Sequence, residues 1–470
     1  MAKIQVLVEV ESQPRRGFEA FEEAAESELS AFNAAASALD AVSGLGVEVA
    51  EPMVPVPMFG TMKPRAKTPE RTYEPKSELQ EFGVPEKNSD LTATSVVVPA
   101  EVDPNQLDEL RAHEGVRVWA NSPLVLFADE LGLVATEHED ADVIDLARSR
   151  PGLDCRPFRA AVDVDTVRTM LGVHEAWEDG FRGQNVAVGI IDEGVNGGVY
   201  PVVGGFSRPG AQQPGSAPIT SHGSMCAADV LVAAPAARIY DYPFLGVPNS
   251  GGALTMFQAV LDQRRIDGTP HLTTNSYGFV GVPPKAQFPD HEVNDINHPV
   301  HRKVREVVAS GAACLFAAGN CGQNCPSGNC HPSGIGPGKS IHASNSLAEV
   351  ITVAAVNTRH ARIGYSSQGP GMFAAEKPDL AAYSHFFGNF GPGRPGGEIE
   401  SPFDNGTSAA TPVAAGVVAL LLSAFPGLSP DDVRAALVAG LYNVTGQPWD
   451  SGYGRGIVNA GASYALQLRK

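Results

Sequence analysis

Five short apolar runs most constrain what this chain can fold into: "NVAVGIID" (185–192), "ARIYDYPF" (237–244), "HLTTNSYG" (271–278), "GAACLFAAGN" (311–320) and "VITVAAVN" (350–357). Those at 185–192, 311–320 and 350–357 are apolar over consecutive rather than alternate positions, and all five are too short for buried helices, so each reads as an extended segment covered on both faces. Helical segments separate them. From about residue 158 onward this predicts an α/β fold with a mainly parallel sheet under helices. No internal repeat is visible, and 470 residues with 43% hydrophobic content leave room for two or three domains.

The tract before it has another texture. A strand is expected over 3–10, where Ile4, Val6, Val8 and Val10 recur every second residue, then an Ala/Glu-rich helix over 17–42 and a strand over 45–52. The Pro-, Lys- and Glu-rich stretch 53–92 reads as a long loop. Regularity resumes with the strand "TSVVVPA", a helix in "DPNQLDELRAHEG" with Asp103 as N-cap and Gly115 closing it, and the strand "VRVWAN". The order β-α-β, β-α-β predicts an α+β domain over 1–128 with 53–92 inserted. Residues 129–157 follow as a linker, acidic from Asp129 to Asp145 before the first base at Arg148.

A formal charge of −19 argues against nucleic acid or an anionic membrane as the main partner, since both attract basic surfaces. The amino terminus has strand alternation and not a signal-peptide pattern, and the apolar stretch Val413–Phe425, between Pro412 and Pro426, is shorter than a membrane span. These features predict a soluble, cytoplasmic protein whose six cysteines are thiols.

Four segments carry candidate chemistry. Asp192 closes a central strand, at the carboxyl end where open α/β sheets keep their sites. "SHGSMCAADVLVAA" offers Ser221 as a helix N-cap and puts His222 in the first turn. "NGTSAATPVAAGVVALLL" (405–422) sets Ser408 at the start of an apolar helix, with Gly406 permitting close backbone approach and Pro412 tolerated early in the helix. First-turn amides have no helical partner, so such a serine can present both Oγ and N–H. A histidine taking its proton and an aspartate fixing the tautomer would make it a nucleophile, and Asn320, at the end of "LFAAGN", could donate to a developing oxyanion.

With those residues in hand, the chain resembles the subtilisin-like (subtilase) serine proteases, over roughly 158–470. The family's order of Asp, His, Ser recurs as Asp192, His222, Ser408. "NGTSAATP" is similar to its Gly-Thr-Ser-Met-Ala-x-Pro block, "HGS" stands for His-Gly-Thr, and "AAGN" matches unchanged. The resemblance implies a three-layer subtilisin-like domain and an endopeptidase working through an acyl-enzyme on Ser408. Protein or peptide substrates would pair with the strand Ser276, Tyr277, Gly278. It also implies that residues 1–128 form a ferredoxin-like prodomain, an intramolecular inhibitor whose apolar tail "PLVLFA" lies in the cleft of a zymogen.

The departures are specific. Glu193 replaces the usual Ser or Thr and adds a charge beside the triad. The short spacing from His222 to Pro235 lacks a loop that often binds calcium, so no calcium, and no cofactor of any kind, is expected. Cys226, one turn after His222, is expected to be a buried small side chain on the site's side of the helix. Cys321, Cys325 and Cys330 follow Asn320 and are expected as free thiols, with a disulfide, or a zinc site completed by His331, as the other readings. Apolar walls at Tyr277–Phe279 and Phe316–Gly319 favour apolar or aromatic residues before the cut bond. A peptide ligase or cyclase of the same fold, or a non-catalytic binding scaffold, is the alternative function; the intact set of four residues argues against a scaffold.

Overall fold

The computed structural model describes residues 3–11, 47–50, 54–59, 93–127, 153–155, 162–208, 210–244, 248–388 and 404–469. Two compact units divide between Trp119 and Ala120. The expected helix over 17–42 and most of the acidic linker lie outside the described residues.

In the first unit, strands β1 (Ile4–Glu11), β2 (Glu48–Val49), β3 (Val56–Phe59) and β4 (Ala93–Val102) precede helix α1 (Leu107–Ala112) and strand β5 (Val116–Ala120). The sheet order is β2-β4-β1-β5, with β3 also on β4. Antiparallel pairing sets Val6 opposite Ala100 and Val8 opposite Val98, and these four side chains form one core with Leu110 and Val118. Two details differ from the sequence reading. The stretch expected to be a loop from residue 53 contains β3, a strand too short for periodicity to reveal. Asp103 caps a 3-10 turn over Pro104–Gln106 that leads into α1, accepting from Asn105 N–H at 2.9 Å; α1 ends at Ala112 and Gly115 sits in the turn beyond, at φ +76°.

The second unit opens with β6 (Val125–Leu126), β7 (Leu153–Asp154), β8 (Val162–Asp163), helices α2 (Val164–Leu171) and α3 (His174–Glu178), and strands β9 (Ala187–Asp192) and β10 (Val202–Gly205). Next come α4 (His222–Ala233), β11 (Arg238–Pro243), α5 (Ser250–Asp267), β12 (Leu272–Asn275), β13 (Tyr277–Gly278), α6 (Pro299–Ala309) and β14 (Ala313–Ala317). Strands β15 (Ile351–Val356), β16 (Arg362–Ile363), β17 (Leu380–Tyr383) and β18 (Phe386–Phe387), then α7 (Gly406–Ala424), α8 (Pro430–Gly440) and α9 (Ala460–Gln467), complete it.

Among the described residues its sheet has nine strands and runs β10-β11-β9-β12-β14-β15-β16-β7, with β17 also on β15. The pairs are parallel except β15 with β16. Successive strand residues point to opposite faces, and both faces are dry. Val188, Ile190 and Leu315 join Val230 of α4 and Val417 of α7 in one cluster. Ile191, Cys314 and Phe316 join Phe257 of α5 and Val304 of α6 in another. Continuous apolar strands therefore sit between two helix layers, an α/β sandwich. Helix α7 is long and apolar enough to cross a membrane, but 89% of that window is buried inside the fold, where it serves as a core helix.

The cysteine expectation is corrected. Cys155 pairs with Cys325 and Cys321 with Cys330 in disulfides, leaving Cys226 and Cys314 as buried thiols. Spacing alone could not reveal the first bond, because its partners lie 170 residues apart and meet only where β7 joins the sheet beside β16.

Candidate active site

Asp192 ends β9 and is buried, and His222 opens α4, whose N-cap Ser221 accepts from Ser224 N–H. The His222 Nδ1 lies 2.8 and 2.9 Å from the two Asp192 carboxylate oxygens. An imidazole donating from Nδ1 keeps its lone pair on Nε2, the proton-accepting atom a general base needs. Glu193 does not disrupt this pair: its backbone N–H donates to Asp192 Oδ1 at 2.7 Å, so support comes from the main chain where a hydroxyl was expected. The Glu193 carboxylate accepts from the His222 backbone N–H; burial, then the charge of Asp192, raises its pKa.

Ser408, buried, is the third residue of α7, and the local chain explains how its polar atoms are placed. Asn405, in extended backbone, begins the helix; Gly406 follows at φ +78°, where a Cβ would come within 2.6 Å of the Phe127 carbonyl oxygen. Only glycine suits both demands. Four residues on, Pro412 has no N–H, so the Ser408 carbonyl loses its helical partner. Ser276 Oγ donates to that carbonyl at 3.3 Å and the Cys226 thiol lies 3.7 Å from it. Cys226 Sγ is also 3.8 Å from Asp192 Oδ2 and 4.0 Å from His222 Nδ1, so one small side chain touches three of the expected residues. Burial, then the Asp192 and Asp229 charges, push its thiol well above the ordinary range and keep it protonated. The Ser408 hydroxyl donates to the Ser276 carbonyl at 3.4 Å.

Asn320 is oriented by Thr407, a residue the sequence reading did not single out. Its Oδ1 accepts from the Thr407 N–H at 3.0 Å and the Thr407 hydroxyl at 2.9 Å. With Oδ1 so engaged, Nδ2 is turned to the Phe127 carbonyl, 2.6 Å away. The Cys321–Cys330 disulfide begins at the next residue and braces this corner.

Ser276, Tyr277 and Gly278 form a rail on which an extended chain already lies. Tyr277 pairs with Leu126 and Gly278 with Val125, antiparallel, and Phe127 N–H donates to the Ser276 carbonyl at 3.0 Å. The Phe127 ring reaches between Gly278 and Gly319: a Cβ on either would stand 2.7 or 3.4 Å from its Cζ. Leu124 is buried with Ala253, Phe257, Tyr277 and Val300. Asn345, also unmarked by the sequence, donates from Nδ2 to the Tyr277 and Ala317 carbonyls, at 2.9 and 2.8 Å, and ties the rail to β14.

The profile of the Subtilase family matches residues 183–456, which contain the whole arrangement except the segment lying in it. The chain belongs to the Subtilase family. It is 27% identical over 328 residues to the serine protease AprX of Bacillus subtilis, across 60% of this chain and 66% of AprX. To subtilisin DY of Bacillus licheniformis it is 28% identical over 299 residues, 60% of this chain and 92% of that one. The crystal structure of fervidolysin from Fervidobacterium pennivorans, a keratinolytic enzyme related to subtilisin, aligns with a TM-score of 0.57 at 16% identity, covering 99% of this chain and 61% of its own; the likeness is one of fold. This subtilase thus spans about two thirds of the length of AprX and less of fervidolysin.

The cytoplasmic expectation is corrected by a further relative. The Aeromonas extracellular serine protease of Aeromonas sobria, 27% identical over 56% of this chain and 49% of its own, is extracellular by name. Disulfides such as the two in this subtilase persist in oxidising compartments.

Proposed function

We propose that this subtilase is a serine endopeptidase and that residues 120–127 occupy its cleft as a substrate would, with Phe127–Ala128 as the bond to be cut. The observation that carries the reading is the Phe127 carbonyl, held at 2.6 Å by Asn320 Nδ2 beside the start of the Ser408 helix while the preceding residues follow the rail.

Ser408 Oγ attacks the Phe127 carbonyl carbon as its proton passes to His222 Nε2. The new C–O bond turns the carbonyl into an oxyanion, which takes hydrogen bonds from Asn320 Nδ2 and the first-turn N–H of Ser408. His222 then gives the proton to the Ala128 nitrogen, the C–N bond breaks, and an ester on Ser408 remains. Water, deprotonated by His222, releases the Phe127 carboxylate and restores the serine. Asp192 holds the imidazole throughout through Nδ1.

Residues upstream then act as an inhibitory prodomain. The order β2-β4-β1-β5, with α1 between β4 and β5, supports a ferredoxin-like unit, and its last strand leads directly into the segment on the rail. Such a tail, once cut, leaves its carboxyl end in the cleft as a product and slows turnover until it dissociates. A fluorophosphonate labelling experiment on the full-length protein tests the nucleophile: labelling of wild type that disappears in Ser408→Ala supports it. A wild type that cleaves peptides yet resists the reagent overturns it.

A further inference from the structure

The grip on the occupying segment does not end at Leu124. Pro123 pairs with Asn249, Leu124 N–H donates to the Pro248 carbonyl at 2.6 Å, and Ser250 N–H donates to the Ser122 carbonyl at 3.1 Å. Six residues before the proposed cut, the chain meets a buried charge. Glu292 lies in the loop between β13 and α6 with no exposed surface. Its Oε1 accepts from Ser122 N–H at 2.9 Å and Ser250 Oγ at 2.5 Å, and its Oε2 accepts from Ser122 Oγ at 2.8 Å. Burial works to raise the pKa of this carboxyl. The His298 and His291 imidazoles, the Ser250 hydroxyl and the Ser122 N–H outweigh it and hold the value at about 2.

We propose that Glu292 forms a remote subsite that selects a serine or threonine hydroxyl at the sixth residue before the cut bond of a peptide substrate; this rests on the proteolytic reading above. The reason is the origin of its hydrogen bonds. A carboxylate out of water is strongly unfavourable unless its lone pairs are met. Two of the three donors named above belong to Ser122, a residue of the occupant and not of the wall. Any other occupant must bring the same pair: a backbone N–H, which excludes proline, and a short side-chain donor. Alanine leaves Oε2 without its hydroxyl, and an acidic residue sets a second negative charge against the first.

The position before it is also read. Asn121 Oδ1 accepts from Gly251 N–H at 2.9 Å and lies 3.3 Å from Ser250 Oγ, whose single proton goes to Glu292. Gly251 is in the first turn of α5, where an amide has no helical acceptor, and the helix's own N-cap, Asn249, serves Gly252. His298 Nε2, 3.0 Å from the Ala120 carbonyl and 3.8 Å from Glu292 Oε1, and His291 Nε2, 3.1 Å from Ser122 Oγ, close the network. Substrates longer than the usual short reporters, with an amide or other acceptor followed by a hydroxyl residue, gain contacts that shorter ones cannot make.

The test uses the full-length protein after self-processing and two kinds of fluorogenic reporter. One is the tetrapeptide Leu-Val-Leu-Phe; the other is the octapeptide Ala-Asn-X-Pro-Leu-Val-Leu-Phe with X as Ser, Thr, Ala or Asp. The expected result is kcat/KM for X = Ser or Thr about tenfold above X = Ala and about a hundredfold above X = Asp, in keeping with hydrogen bonds to a charged group. Glu292→Gln, measured with the same series, should level the Ser and Asp reporters. Hydrolysis of the tetrapeptide with equal rates across the four octapeptides would overturn the subsite and leave the protease standing. Failure to cut any reporter would instead overturn the proteolytic reading on which it rests. Because the series is read first on the wild-type protein, it decides the question even if Glu292→Gln does not fold.

Discussion

The corner where β9, α4 and α7 meet and the loop between β13 and α6 both present buried polar groups to the same extended segment, yet only the first was legible in the sequence. Asp192, His222, Ser408 and Asn320 each sit at or just beyond the end of a regular element, so the periodicity that predicts the element also predicts the end. Glu292, His291 and His298 sit in irregular chain, and their meaning comes from Ser122, 170 residues before Glu292. The lesson is that chemistry set by element termini can be read locally, whereas recognition set by loops needs the tertiary contact first.

The largest expected effect tests the local side of that contrast. Ser408→Ala should abolish peptide hydrolysis while the circular dichroism spectrum is unchanged; in subtilisin, loss of the nucleophilic serine costs about a millionfold in turnover. A variant retaining a tenth of wild-type turnover would remove Ser408 from the chemistry. Asn320→Ala should lower kcat with little change in KM, because its amide matters most once charge has developed; for subtilisin's asparagine the loss is roughly 2.7–4 kcal/mol. A change confined to KM would recast Asn320 as a binding residue.

Asp241 belongs to both sides of the contrast: it is a buried carboxylate on the regular strand β11, with no local sign in the sequence. It accepts from Val195 N–H at 3.0 Å and Gly215 N–H at 2.8 Å, which secure the turn after Asp192. Burial is the main cause that raises its pKa from 3.8 to about 6. The folded state therefore holds this proton more tightly than the unfolded one. Its stabilising contribution is complete below about pH 4 and is lost as pH rises through about 6, about 3 kcal/mol in all. Denaturant titrations should find that Asp241→Asn removes this part of the pH dependence. A wild-type and variant difference that stays constant from pH 4 to 7 would contradict the shift.

Gly278→Ala carries the smallest expected effect and lies on the boundary between the two kinds of site. The added methyl would stand 2.7 Å from the Phe127 ring and 3.1 Å from Asn345 Oδ1. Reporters with phenylalanine before the cut should lose about tenfold in kcat/KM while those with alanine change little, a discrimination typical of hydrophobic pockets. Equal losses for both would mean that the ring does not occupy this pocket in catalysis.

The same division accounts for what the sequence told of the fold. Runs apolar at nearly every position marked β9, β14 and β15, because such a strand can turn neither face to water; β12, Leu272–Asn275, is buried although three of its four residues are polar. The four-residue β3 was hidden in a proline-rich tract, since its pairing with β4 depends on a partner far along the chain. Glu193 shows the limit of residue type: it adds a charge where Ser or Thr is usual, yet Asp192 is supported there by a backbone N–H that any residue except proline carries. The disulfide between Cys155 and Cys325 was invisible for the reason that Glu292 was, a contact across the chain with no local sign.

The most direct test of the account is the fate of the full-length protein on incubation, followed by intact mass and amino-terminal sequencing beside Ser408→Ala. Cleavage between Phe127 and Ala128, giving a fragment that begins at Ala128 in wild type and none in the variant, is the predicted result. Cleavage elsewhere with Phe127–Ala128 intact, or the same fragment from Ser408→Ala, would contradict the claim that the segment on the rail is the enzyme's own first substrate.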